Sequence, residues 1–277
     1  MFRAQFWGVR GSIPVPGPET AGVGGNTSCV EVRCGSSILV FDGGTGLRVL
    51  GQSLAKEMPF TMHLFFSHVH WDHIQGFPFF APAFAPGNTI HMYGGHNVAG
   101  TVETALAGQM ENPNFPVKLV DLGAKLIFND LHDGEVLELE GGAKLSTAAG
   151  HHPGGVLAYR VDYEGKSLVY ATDTEHRPGG LDQNIVSLAK NADVFIYDSQ
   201  YTPEEYVGTN SFSKVGWGHS TFEEGVAIAK AAGAKKYVLY HHDPGQNDAA
   251  VREKERRAQE LFANSVAARE GLILEIA

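Results

Sequence analysis

Apolar and polar positions alternate through Phe2-Arg3-Ala4-Gln5-Phe6-Trp7, and a period of two marks a strand with one buried face. The same reading places strands near 28–34, 37–42 and 62–66, with a helical stretch from Thr45 to Lys56 among them and another from Val98 to Ala107. Segments near 125–129, 135–139, 143–148, 156–163 and 167–172 read as a meander. Helices near 181–190, 222–232 and 248–269 then alternate with strands near 193–197, 236–240 and 272–276. Ser220-Thr221 with Glu223 and Glu224 just inside the helix is close to a capping box, so 222 is a firm helix start. Each half of the chain thus gives strands followed by helices. With no linker or sequence repeat between them, residues 1–277 read as one domain.

Chemistry concentrates where the strand Met62-His63-Leu64-Phe65-Phe66 ends. His68-Val69-His70-Trp71-Asp72-His73 puts four metal-binding side chains on one short loop, and Ile74-Gln75-Gly76-Phe77 is then free to open a helix. Four candidates are too many for a single catalytic ion that keeps a position open. Two ions sharing a bridging oxygen use them better, with His68 and His70 on one, Asp72 and His73 on the other. Such a centre needs further ligands at distant strand ends, and three places supply them: the doublet His151-His152 before Pro153-Gly154-Gly155, Asp173 after Ser167-Leu168-Val169-Tyr170-Ala171, and the doublet His241-His242 after Lys236-Tyr237-Val238-Leu239-Tyr240. One histidine of each doublet can turn inward.

These residues, together with Phe41-Asp42-Gly43-Gly44-Thr45-Gly46 and Gly218-His219-Ser220-Thr221, resemble the metallo-β-lactamase superfamily over nearly the whole chain. Within it they resemble the phosphodiesterase branch that includes ribonuclease Z and small-substrate phosphodiesterases. The resemblance implies an α/β fold, an αββα sandwich of two mixed sheets with helices on the outer faces. Family spacing favours His152 over His151 and His241 over His242. One metal then takes His68, His70 and His152, the other takes Asp72, His73 and His241, and Asp173 bridges them. His151 and His242 are left to hydrogen-bond the ligands, while Asp42 braces the metal loop. Catalysis is implied for Asp72, which orients the attacking water, and for His219, which faces the scissile phosphate. The cofactors implied are two divalent ions per chain, zinc first, with manganese, iron or nickel accepting the same ligands. A homodimer is also implied. Ribonuclease Z enzymes reach transfer RNA with an arm inserted between the third histidine's strand and the bridging aspartate, and the span from Val161 to Thr172 leaves no room for one.

Two such ions make hydroxide available near neutral pH and polarise a phosphoryl oxygen, which suits a small phosphodiester such as a cyclic nucleotide or short oligonucleotide. The rival readings are a hydrolase of a lactone, thioester or β-lactam on the same fold, and a non-hydrolytic iron oxygenase or metal-binding protein. Charge narrows the field. The balance of 21 basic and 31 acidic residues gives −10, and two divalent ions bring it only to about −6, without the basic footprint that long nucleic acids use. Hydrophobic residues at 43% argue against disorder, and no apolar run approaches the roughly 18 residues of a membrane span, so the reading is cytoplasmic. Cys29 and Cys34 stand an odd distance apart in one strand, on opposite faces, so no disulfide is expected. The run Phe77-Pro78-Phe79-Phe80-Ala81-Pro82-Ala83-Phe84 reads as packing rather than as a wall over the site.

Overall fold

The computed structural model describes residues 1–95, 100–177, 179–209 and 211–276. Fourteen strands among them form two seven-stranded mixed sheets. The first contains β1 (Phe2–Gly8), β2 (Cys29–Cys34), β3 (Ser37–Phe41), β4 (Thr61–Phe66), β5 (Thr89–Gly95) and β6 (Lys125–Leu131), in sequence order, with β14 (Ile273–Glu275) beside β1. The second contains β7 (Val136–Glu138), β8 (Lys144–Ala149), β9 (Leu157–Tyr163), β10 (Lys166–Ala171), β11 (Val194–Asp198), β12 (Tyr237–Tyr240) and β13 (Ser265–Ala267), also in sequence order. Each sheet opens as an antiparallel meander and continues as four parallel strands, β3 to β6 and β10 to β13.

The side-chain alternation of the strands builds the layers. Leu39 and Phe41 join Phe2, Phe6, Val30 and Val32 against Val161, Leu168 and Tyr170, a core shared by the two sheets. Ile38, Val40, Leu64 and Phe66 point the other way, onto Leu47, Leu50 and Leu54 of α1 (Gly46–Leu54). Phe77 and Phe80 are in that same outer cluster, whereas Phe79 and Phe84 of the same run, which ends in the short helix α3 (Ala81–Phe84), are exposed, so the run is packing only in part. Cys34 lies in the shared core and Cys29 in the outer cluster, both as free thiols. The sandwich with outer helices agrees with the expected fold, and no helix of the described residues is long and apolar enough to cross a membrane.

Several elements differ from expectation. β5 was not anticipated: Thr89-Ile90-His91-Met92-Tyr93 runs into Gly94-Gly95, weak strand formers, yet two parallel neighbours hold it. The last helix, α8 (Asp248–Leu261), stops well short of 269 because Ser265–Ala267 pairs with β12, and that pairing overrides the helix propensity of the alanines. The helix expected from Val98 is α4 (Val102–Gln109), and residues 98 and 99 lie outside the described residues. By contrast α7 (Phe222–Ala232) has the expected ends, with the Thr221 hydroxyl accepting from the Glu224 amide.

Candidate metal centre

Parallel strands deliver their carboxyl ends to one edge of a sheet, and ligands of α/β folds gather there. On this edge β4 leads to Ser67 and His68, β10 to Asp173, β11 ends at Asp198, and β12 leads to His241. His68 and His70 stand on the loop after β4. Asp72 and His73 belong to a helical turn, α2 (Trp71–Ile74), which begins three residues before the expected opening at Ile74.

Three groups of donor atoms result among the described residues, the third of which, Asp173, Asp198, His219 and His241, overlaps the second. His68, His70 and His152 converge with their ligand atoms within 4.8 Å of one another, and so do Asp72, His73, Asp173 and His241. In the first group His152 Nε2 is 3.1 Å from His70 Nδ1. In the second, His73 Nε2 and His241 Nε2 each lie 3.2 Å from both Asp72 Oδ2 and Asp173 Oδ2. A tetrahedral ion with bonds of about 2.0 Å keeps its ligand atoms roughly 3.3 Å apart, so these spacings match the edges of such a site. Asp173 turns its other oxygen toward the first group, 3.8 Å from His68 Nε2. Nε2 of His68, in the first group, and of His73, in the second, are buried without a hydrogen-bond partner, an arrangement that a cation in each group relieves. The residues therefore fit divalent metal, and this mixture of imidazole and carboxylate does not select one ion.

Second nitrogens fix the rings. His73 Nδ1 donates to Asp42 Oδ2 at 2.8 Å, His152 Nδ1 to the Gly218 carbonyl at 2.9 Å and His241 Nδ1 to Gln200 Oε1 at 2.8 Å, which leaves each Nε2 facing the cluster. Asp42 also accepts the Ser67 amide and hydroxyl and the Tyr170 hydroxyl, and so holds the metal loop against the second sheet. Burial, reinforced by the neighbouring His73, pushes the His68 pKa well down, and burial lowers His70 and His152 too, so these imidazoles are neutral and can offer lone pairs. Six non-glycine residues with positive φ occur among the described residues. Four of them, Ser12 (65°), Asp42 (62°), Asp173 (52°) and His241 (60°), are at this site, where backbone strain is retained for the geometry it provides.

His219 stands beside the first two groups. Its Nδ1 donates to Asp198 Oδ2 at 2.9 Å and lies 3.7 Å from Asp173 Oδ1. Burial acts to lower its pKa, but the Asp198 charge and hydrogen bond outweigh that and push it up to about 9. A cavity of about 490 Å³ opens here, lined by Ser12, Val69, His70, Trp71, Asp72, Asp173 and His219.

Sequence reading missed Asp198, Gln200 and Glu175. Asp198 closes a buried strand as a lone aspartate, with no other donor beside it in the sequence to mark it out. Glu175, which accepts the Gly216 and Gly218 amides, braces the loop that carries His219. The rejected members of the doublets do not play the bracing part expected of them. His151 is exposed and bonds through its backbone to Thr174 and Glu175, because the extended chain turns alternate side chains outward. His242 is buried but donates from Nε2 to the Ala268 carbonyl, and among the described residues no hydrogen bond from either ring reaches a candidate ligand.

Comparison with known proteins agrees with this geometry. A Beta-lactamase superfamily domain matches residues 38–242. Ribonuclease Z of Enterococcus faecalis is 24% identical over 98% of this chain and 96% of its own. Among solved structures, the metallo-beta-lactamase fold protein YhfI from Bacillus subtilis superposes with a TM-score of 0.71 at 20% identity, over 99% of this chain and 100% of that one. A diphosphatase from the PhnP family gives a TM-score of 0.72 at 19% identity, over 100% and 98%. With clusters of histidine and aspartate at the carboxyl ends of its strands, the chain belongs to the β-lactamase superfamily, as a metal-dependent hydrolase of the metallo-β-lactamase fold.

Proposed function

We propose that this hydrolase cleaves a small phosphodiester at a dinuclear centre, one divalent ion held by His68, His70 and His152, the other by Asp72, His73 and His241, with Asp173 shared. Ions bound there supply Lewis acidity, lowering the pKa of a water molecule and polarising a phosphoryl oxygen. Asp72 is held in place by the Ser12 amide, which donates to its Oδ2 at 2.7 Å, and it orients the water for attack. His219 keeps its Nδ1 on Asp198 and thus has Nε2 for the substrate, where it gives a proton to the leaving oxygen or steadies charge on phosphorus.

The observation that carries this reading is the His219–Asp198 pair on the wall of the cavity. An imidazole held through Nδ1 by Asp198 beside the metal groups, with Nε2 left for the substrate, suits a phosphodiester with a basic leaving group. Lactones, thioesters and β-lactams have no anionic phosphoryl group for it to meet. Structured RNA is the second reading, favoured by the ribonuclease Z relatives. Against it, β9 and β10 are joined by Glu164-Gly165 alone, both at positive φ, so the place where an RNA-reaching arm is expected holds a tight turn. A cytoplasmic location and a homodimer belong to the same proposal, to be checked by fractionation and sedimentation.

The test is hydrolysis of bis-p-nitrophenyl phosphate, abolished by chelation and restored by a divalent metal. His219→Ala should keep its metals and lose roughly ten- to thousandfold in turnover. Unchanged turnover reduces His219 to a neighbour of the α7 cap. Cyclic nucleotides and dinucleotides should be cleaved in the same assay, and site-specific trimming of precursor transfer RNA would overturn the small-substrate reading.

A further inference from the structure

Trp71 sits between His70 and Asp72, yet its side chain is 79% exposed. A tryptophan at this position contributes nothing to the core, and it lies where two cavities meet. Together with Val69 it lines both the 490 Å³ cavity of the metal groups and an adjoining groove of about 620 Å³, whose far wall is α4. Each is of the size that holds a small ligand. The groove is apolar along Ile74 and Ala105, with three carboxamides, Gln75, Gln109 and Asn114, around it. Gln75 donates one amide N–H to Thr27 Oγ1 at 3.2 Å and Gln109 donates one to the Ile74 carbonyl at 3.0 Å. Both side chains are thereby fixed, with their carbonyl oxygens left as acceptors.

An exposed indole face beside fixed amide acceptors is the chemistry that recognises a nucleobase, which stacks through its π-face and donates from its ring or amino N–H groups. Continuity of the groove with the metal-side cavity adds the phosphate. We propose that the Trp71 groove is a nucleobase subsite, so that the substrate is a nucleoside phosphodiester, its phosphate at the metal groups and its base on Trp71. This rests on the phosphodiester reading above and narrows it.

The experiment is calorimetric titration of the metal-replete protein with adenosine 5′-monophosphate and with ribose 5-phosphate, which share sugar and phosphate and differ in the base. The nucleotide should bind about tenfold more tightly. Trp71→Phe should retain most of that advantage and Trp71→Ala should remove it. Because Trp71 adjoins candidate ligands and Gln109 bonds the Ile74 carbonyl beside His73, metal content is measured on each variant, and Gln109→Leu with its metals retained should also cut the nucleotide's advantage several-fold. Equal binding of the two compounds by the unaltered protein, or an advantage that survives Trp71→Ala, overturns the subsite. A protein that hydrolyses bis-p-nitrophenyl phosphate without any nucleotide advantage loses the subsite alone. One with the advantage but no diesterase activity keeps the base site and loses the phosphodiester reading.

Discussion

His152 reaches its neighbours because Gly218 has no side chain. Gly218 has φ of +88°, and a Cβ there would meet His152 Nδ1 at 2.2 Å and Pro153 Cδ at 2.5 Å, while its carbonyl accepts from that same nitrogen. Gly218→Ala should therefore push the ring out of the first donor group. Metal content should fall from two ions per chain toward one, with turnover down at least tenfold. Retention of both ions and full turnover would mean that this close approach does not matter. At this scale the histidines and Asp173 were legible because so many donors close together at strand ends have few other uses. Asp198 was not, since a lone aspartate ending Val194–Asp198 looks like many others until the fold brings His219, 21 positions later, against it.

Among the elements, α8 acts on the site through one buried lysine. Lys254 is 1% exposed and donates to the Ser199 and Gln200 carbonyls and to Gln246 Oε1 at 2.7 Å, and Gln200 in turn holds His241. Burial drives the Lys254 pKa down to about 7, against the opposing charges of Glu205, Asp243 and Asp198. An unfolded chain keeps that proton up to about pH 10.4, so between the two values the unfolded state binds more protons and stability rises with pH. Lys254→Met lacks this contribution. In urea unfolding, the stability of the unaltered protein relative to the variant should increase by roughly 2 kcal/mol from pH 7.5 to 9.5, and a difference constant with pH would contradict it. The long amphipathic start of α8 was readable, as was the cap of α7. The end of α8 was not, because only the neighbouring strand β12 decides whether 265–267 continues the helix or pairs. β5 was hidden for a related reason, its two partners lying far from it in the sequence.

Over the whole molecule, the two sheets put four buried carboxylates, Asp42, Asp72, Asp173 and Asp198, among a cluster of histidines at one edge. Neutral packing does not explain that concentration, since each buried charge needs a partner of opposite sign. Local periodicity revealed the strands that carry these residues but not their order, because β14 closes the first sheet beside β1 at the opposite end of the chain. On the reading proposed above, this edge holds two metal ions at defined ligands. Anomalous diffraction from crystals of the metal-replete protein, measured on both sides of the metal's absorption edge, tests it most directly. Two peaks per chain are expected, one within ligand distance of His68, His70 and His152, the other of Asp72, His73 and His241, with Asp173 between them; a single peak, or peaks away from these side chains, would rule out the dinuclear centre.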